Sequence, residues 1–438
     1  MRLTAGYQNM FRIPELKRRL LFTAFILIIY RLGSHVPVPG VDANALEQFF
    51  DSMRGGLLGL YDMFAGGNLS RATIFALGIM PYISASIIFQ LMQAVVPALE
   101  KLAKEGEEGR AKITQYTRYA TVALAAVQAA GMSIAVENLA APGGAAVVTN
   151  PGLFFKFQMV ITLIAGTMFV MWLGEQITER GIGNGISLII TIGIIASYPA
   201  DLNRVLAQLE VGAMNPFTLI GLLIFMVFVI AAVILMTQGQ RRIPVQYAKK
   251  MVGRRMYGGA STHIPLKVNT AGVIPIIFAQ SIIMFPGTLA QYFPDSGAMQ
   301  WLANIFAPGA PVYIVVYSVI IVFFAYFYTA VVLNPVDLAD NMKKYGGFIP
   351  GIRPGKRTAE FIDRVLTRVT LPGAIFLALI AVLPDVLIRS FNVPFYFGGT
   401  GLLITVGVTL DTMQQIESHL LMRNYEGFMK RGKLRGRR

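Results

Sequence analysis

Ten apolar runs, most of them about twenty residues long, alternate along the chain with polar gaps. A helix crosses roughly 30 Å of hydrocarbon in about 20 residues, so runs of this length predict membrane-spanning helices. They fall at 20–38, 72–96, 119–136, 152–173 and 182–198, then at 217–236, 268–289, 312–333, 369–388 and 393–413. The first, fifth, ninth and tenth are the weakest, being short or broken by Gly and Pro. The expected fold class is an all-α membrane protein with ten transmembrane helices in two halves, 1–200 and 201–438. Because five spans per half is odd, the second half enters the membrane in the opposite orientation, an inverted repeat with function at the interface between halves. The repeat is not visible in residue identities and rests on topology alone.

Charge fixes the orientation. Of 38 Lys and Arg, about 32 lie before the first run, after the last, or in alternate gaps between. The intervening gaps 137–151 and 291–311 contain none. This is the positive-inside pattern, with both termini on the cytoplasmic side of the membrane. Composition agrees: 55% hydrophobic and 14% charged residues, with a mean hydropathy of +0.59, lie outside the soluble range. A net charge of +15 would ordinarily suggest nucleic acid. Its confinement to one side favours anionic lipids and an acidic cytoplasmic partner. The absence of cysteine excludes disulfides and thiolate metal sites. No cleavable signal peptide is expected, since 20–32 has basic flanks but no small-residue cleavage site after it.

The spans also exclude chemistry. Ion- or proton-coupled transporters carry ionisable residues near the midplane, whereas here Lys156 is expected to snorkel outward and Glu175 and Asp411 lie near cytoplasmic ends. His35, His263 and His419 are scattered and form no metal or catalytic cluster. The segment 181–185, Gly-Ile-Gly-Asn-Gly, lacks the Lys-Ser/Thr of a phosphate-binding loop and reads as a flexible lead into the fifth span. No cofactor, metal or energy source is expected, and no enzyme activity.

Three segments stand out. The basic gaps 238–267 and 334–368 carry seven Lys or Arg each. For most of Arg241, Arg242, Lys249, Lys250, Arg254 and Arg255, topology and headgroup binding explain the charge more readily than docking does. Arg353 differs, because the Pro-Gly pairs on either side stiffen and turn the backbone, presenting one cation to a large cytoplasmic partner. The third segment, 55–67, is an apolar piece between two glycine pairs. A helix over 57–65 would be about 13 Å long, less than half the bilayer. It reads either as a re-entrant cap on the bundle or as a movable stopper hinged at its glycines.

The segment 73–87, Thr-Ile-Phe-Ala-Leu-Gly-Ile-Met-Pro-Tyr-Ile-Ser-Ala-Ser-Ile, resembles a signature of the SecY family of protein-translocation channels. So does 171–187, Met-Trp-Leu-Gly-Glu-Gln-Ile-Thr-Glu-Arg-Gly-Ile-Gly-Asn-Gly-Ile-Ser. Segments 239–242, 261–269, 394–400 and the Arg353 loop are similar to that family too, and the resemblance covers the whole chain. It implies a clamshell of two five-helix halves around an hourglass pore. It makes 57–65 a plug, with Leu57, Leu58, Leu60, Tyr61, Met63 and Phe64 as the plug residues. The pore ring it implies is Ile79, Ile83, Ile190, Ile277 and Ile404, and the lateral gate lies between spans two and three and spans seven and eight. Implied partners are the small membrane subunits SecE and SecG, the SecA motor ATPase, the ribosome, signal sequences and unfolded preproteins.

Depth arithmetic bears on the ring independently. Counting about 1.5 Å per residue from the expected helix ends, Ile83 lies ~16 Å from the outer boundary, and Ile190 and Ile277 lie ~12 and ~14 Å from the inner one. Ile79 is one turn outward from Ile83 on the same face. Isoleucine in an apolar helix usually faces lipid or packs, and depth gives no direction. A charge-free ring nevertheless suits a gasket, because apolar constrictions gate by dewetting. At the gate, span two carries Ser84, Ser86 and Gln90, and span seven carries Asn269, Thr270, Gln280 and Ser281. Interhelical polar contacts are worth about 0.6–2 kcal/mol each in membranes, so such a seam would part for an incoming apolar helix. The function expected is passive movement of unfolded polypeptide, driven by a motor or ribosome, with sideways release of apolar segments into lipid. A small-solute transporter and a pore-less insertase or scaffold are the alternatives.

Overall fold

Proline sets where many of the helices begin. Six of them carry Pro in the first turn, where its missing N–H is no loss. Two of these add an asparagine cap: Asn215 Oδ1 accepts from the Phe217 N–H at 3.1 Å, and Asn334 Oδ1 from the Val336 N–H at 3.0 Å.

The computed structural model describes residues 13–52, 57–137, 139, 146–212, 215–247, 250–252, 255–257, 261–292, 297–307, 309–391 and 399–431. Its helices are α1 (Pro14–Gly33), α2 (Ala43–Ser52), α3 (Leu57–Ala65), α4 (Met80–Val95), α5 (Pro97–Lys104), α6 (Glu107–Glu137), α7 (Leu153–Arg180), α8 (Gly185–Glu210) and α9 (Pro216–Gln238). Strands β1 (Gln240–Tyr247), β2 (Lys250–Val252), β3 (Arg255–Tyr257) and β4 (Ser261–Lys267) follow. Then come α10 (Ile274–Tyr292), α11 (Gly297–Ile305), α12 (Pro311–Val332), α13 (Pro335–Lys344), β5 (Gly347–Phe348), α14 (Lys356–Phe391) and α15 (Thr400–Arg431).

Six stretches among the described residues are long and apolar enough to cross a membrane, or seven if α4 and α5, bent by 99° at Val96, count as one. The other three expected runs lie in α1, α10 and α15, which are helical but carry shorter apolar stretches or more charge. Several boundaries differ from expectation. The second run is expected to be helical from residue 72, yet helix starts only at Met80. Gly66, Gly67 and Gly78 have positive φ, as does Ala72 at 48°. The 68–79 stretch is instead tied to the segment that follows α1: Val38 N–H donates to Ala72 O at 2.7 Å and Ile74 N–H to Val36 O at 3.0 Å.

The chain forms two compact units, one of Met1–Leu206, Met284–Ala307 and Val408–Arg438, the other of Ala207–Ile283 and Pro308–Gly407. In the first, α6 packs on α4 and α7, and α1 packs on α7. Stacked aromatic rings run from Tyr30 to Phe75 to Phe169 to Trp172, with centroids 5.7, 6.1 and 5.9 Å apart. Two ion pairs join α6 to α7. Arg118 binds Glu175 through two hydrogen bonds of 2.9 and 2.8 Å, and Lys156 binds Glu137 at 2.7 Å. Lys156 therefore does not simply snorkel; a carboxylate at the end of the neighbouring helix holds it. The 181–185 loop is likewise pinned rather than flexible. Ile182 N–H donates to Thr23 Oγ1, Gly183 N–H to Gln415 Oε1 and Gly185 N–H to Thr178 Oγ1, at 3.1, 2.9 and 3.0 Å.

In the second unit α12 packs on α14, and edge-on contacts of Phe278 with Phe324 and Tyr328 seat α10 on α12. The two long basic gaps, expected as loops, fold together. β1 lies between β4 and β5 in an antiparallel sheet. Ile243 and Val245 alternate inward along β1 and join Leu266, Met342, Ile349, Ile362 and Leu366 in one core.

Candidate functional site

The short helix α3 has the bounds expected of the 57–65 segment. Tyr61, Phe64 and Ala65 are buried, and Met63 is half-buried; for Leu57, Leu58 and Leu60 the backbone is described and the side chains are not. Tyr61 Oη donates to Leu77 O at 3.2 Å. Asn68, wholly buried, donates from Nδ2 to Ala65 O and to Tyr30 Oη of α1. Glycine lets backbones touch here. A methyl group on Gly66 would lie 2.8 Å from Gly193 Cα in α8, and one on Gly78 would lie 3.3 Å from Ala65 Cα. The helix is thus seated against the stretch before α4, while Gly66 and Asn68 just past it meet α8 and α1, all within the first unit.

Gly55 and Gly56, expected as one hinge, lie outside the described residues. The other expected hinge, Gly66–Gly67, is a closed helix cap. Gly67 N–H returns to Asp62 O at 2.8 Å and Gly66 N–H to Met63 O at 3.2 Å, both glycines having φ of 76°. This is the Schellman arrangement, which glycine adopts without Cβ strain.

The five isoleucines are all buried, between 0 and 5% exposed. Three of them lie near helix starts in the first unit. Ile79 caps α4, and its carbonyl accepts from Ile83 N–H at 3.1 Å. Ile79 follows Gly78, which borders Ala65, and Ile190 lies one turn from Gly193, which borders Gly66. In the second unit Ile277 and Ile404 sit near the starts of α10 and α15. From the observed starts, Ile83, Ile190 and Ile277 are only about 4.5, 7.5 and 4.5 Å along their helices. The rise of 1.5 Å per residue counted from the ends of the apolar runs does not apply to 72–79, 182–184 and 268–273, which precede the helices.

The polar residues of the second and seventh runs bond within their own segments. Gln90 Nε2 donates to Ser86 Oγ at 3.0 Å, Ser281 Oγ to Ile277 O at 2.9 Å, Asn269 Nδ2 to Gly272 O at 3.1 Å and Thr270 Oγ1 to Lys267 O at 3.1 Å. Ser84 is half-buried. Gln280 is buried, and its Nε2 has no hydrogen-bond partner among the described residues.

Arg353 is exposed between Gly351 and Gly355, at φ of 79 and 104°. Its carbonyl accepts from Thr358 Oγ1 at 3.0 Å, which ties the turn to the start of α14. Arg241 and Arg242 are exposed on β1 of the same folded platform. Lys250 and Arg255 lie in the β2–β3 hairpin, where only the backbone is described, while Lys249 and Arg254 fall outside the described residues. Sequence reasoning missed three things: the platform itself, the Asp62 and Asn68 contacts of α3, and the two α6–α7 ion pairs. Only the last left a signal. Nineteen residues separate Arg118 from Glu137, and nineteen separate Lys156 from Glu175, on consecutive helices.

Comparison with known proteins gives one answer. The SecY family profile matches residues 73–413. The protein translocase subunit SecY of Escherichia coli K12 is 50% identical over 427 residues, covering 97% of this chain and 96% of the relative. That of Thermus thermophilus is 47% identical over 435 residues, 99% of each. Among solved structures, a protein-conducting channel superposes with a TM-score of 0.67 at 19% identity, covering 92% of each chain. Sec61 from a canine ribosome–channel complex gives 0.64 at 19% identity and the same coverage. At that identity the structures speak to the fold, and the fold is shared. With the profile spanning most of its length and half its residues matching curated relatives, the chain belongs to the SecY family.

Proposed function

We propose that this multi-pass membrane protein is the channel-forming subunit of a protein translocase. It moves unfolded polypeptides across the bacterial plasma membrane and releases apolar segments sideways into lipid. The observation that carries this is the near-full-length match to SecY translocase subunits. The seating of α3, a helix too short to span, against Gly78 next to Ile79, with Gly66 just past it against Gly193 one turn from Ile190, supports it. In this reading α3 is the plug, and Ile79, Ile83, Ile190, Ile277 and Ile404 form the gasket around the moving chain. Ten spans form two halves, 1–200 and 201–438, and both termini are cytoplasmic.

The lateral gate uses Ser84, Ser86, Gln90, Asn269, Thr270, Gln280 and Ser281. The platform bearing Arg241, Arg242 and Arg353, with Lys249, Lys250, Arg254 and Arg255 beside it, receives a SecA-type motor or a ribosome. SecE and SecG complete the complex, and anionic lipid meets the remaining cations. The chain itself hydrolyses nothing; the motor or the ribosome supplies the energy.

The test is reconstitution into vesicles with the small subunits and a motor ATPase. An unfolded polypeptide with an apolar signal should become protease-protected only with ATP. Substrate-dependent uptake of small solutes by the chain alone, without polypeptide transport, would overturn the reading.

A further inference from the structure

The Asp62 carboxylate sits in the last turn of α3, and its Oδ1 accepts two backbone N–H groups from beyond the glycine pair: Leu69 and Ser70, each at 2.9 Å. Together with the Gly66 and Gly67 cap bonds and Asn68 Nδ2 on Ala65 O, these close residues 62–70 into one knot. A segment tethered at both ends leaves its seat only if both joints turn. Turning about Gly66–Gly67 carries Asp62 away from Leu69 and Ser70, so the two carboxylate bonds must break. Hydrogen bonds to a charged acceptor are the strong ones.

We infer that Asp62 is a clasp, a positioning residue whose carboxylate holds the C-terminal joint of α3 shut and so sets the threshold for displacing the helix. Gly66 and Gly67 become a hinge only once the clasp is broken. The inference rests on the reading of α3 as the plug.

The test uses purified full-length protein reconstituted with its small subunits, comparing native, Asp62→Ala, Asp62→Asn and a form lacking 57–65. Resting ion conductance is measured in planar bilayers. The position of α3 is followed by electron paramagnetic resonance between spin labels at Met63→Cys and Val127→Cys, which the cysteine-free chain permits. Asp62→Ala should raise the resting open fraction at least about tenfold, the factor given by about 1.4 kcal/mol, and broaden the label distance. Asp62→Asn keeps an oxygen acceptor for both amides but loses the charge, and should leak less than Asp62→Ala and more than native. The clasp is overturned if Asp62→Ala matches native while the deletion leaks, or if Asp62→Asn leaks as much as Asp62→Ala. If the deletion itself leaves conductance at the native value, the plug reading fails instead.

Discussion

Gly193 in α8 meets Gly66, just past α3, backbone to backbone: a methyl group on Gly193 would lie 3.0 Å from Gly66 Cα. Two glycines are what allow the short helix to lie in its seat. Gly193→Ala should push against backbone that cannot rotate away, costing about 1–3 kcal/mol of seating. The expected result is a leak at rest with the helical content unchanged, read by planar-bilayer conductance beside circular dichroism. Native conductance from a folded Gly193→Ala protein would show that α3 does not depend on this contact.

The Arg118–Glu175 and Glu137–Lys156 pairs staple α6 to α7 at two levels. Nineteen residues of helix span about 28 Å, close to the ~30 Å of hydrocarbon that a membrane-spanning helix must cross. Arg118 is 44% exposed and Glu175 13%, which limits the pair to a coupling of about 1 kcal/mol despite its two-point geometry. A double-mutant cycle of Arg118→Ala and Glu175→Ala, read by thermal melting in detergent, should return that coupling. It should shrink as salt is raised.

Ile362 is wholly buried at the centre of the core shared by β1, β4, α13 and α14. Ile362→Ala should cost the platform about 2–5 kcal/mol. Hydrogen exchange should rise across 240–247 and 261–267 while α6 and α7 keep their protection, and motor-driven transport should fall.

Arg353 is exposed, so its role is separable from packing. Arg353→Glu should leave the melting temperature within about 1 °C, as surface changes do, and abolish motor-dependent transport. Normal transport by this variant would place docking elsewhere on the platform.

Part of the fold is legible in the residues themselves. The bounds of α3 can be read from an apolar piece between glycine pairs, because glycine readily takes the positive φ that ends the helix after Ala65. The second run reads as helix from Ala72 onward, since Ile74 and Phe75 are apolar enough to extend one, while tertiary bonds to Val36 and Val38 prevent it. The platform is hidden for another reason. Its pairing joins Ile243 to Ile264, and Gln246 to Phe348 across a hundred residues, and the alternations Ile243–Val245 and Ile264–Leu266 are too short to announce strands in gaps that stand out by their charge. The Asp62 contacts depend on how the Gly66–Gly67 cap turns the chain, which composition does not specify.

The central claim is that this chain is a channel stoppered by α3. Resting ion conductance of the reconstituted protein with and without residues 57–65 tests it most directly. The deletion should leave the bundle folded, raise resting conductance well above native, and allow motor-driven polypeptide transport to continue. A deletion that abolishes folding, or a folded one that conducts no more than native, would mean that α3 only caps the bundle, and the channel mechanism argued from it would be wrong.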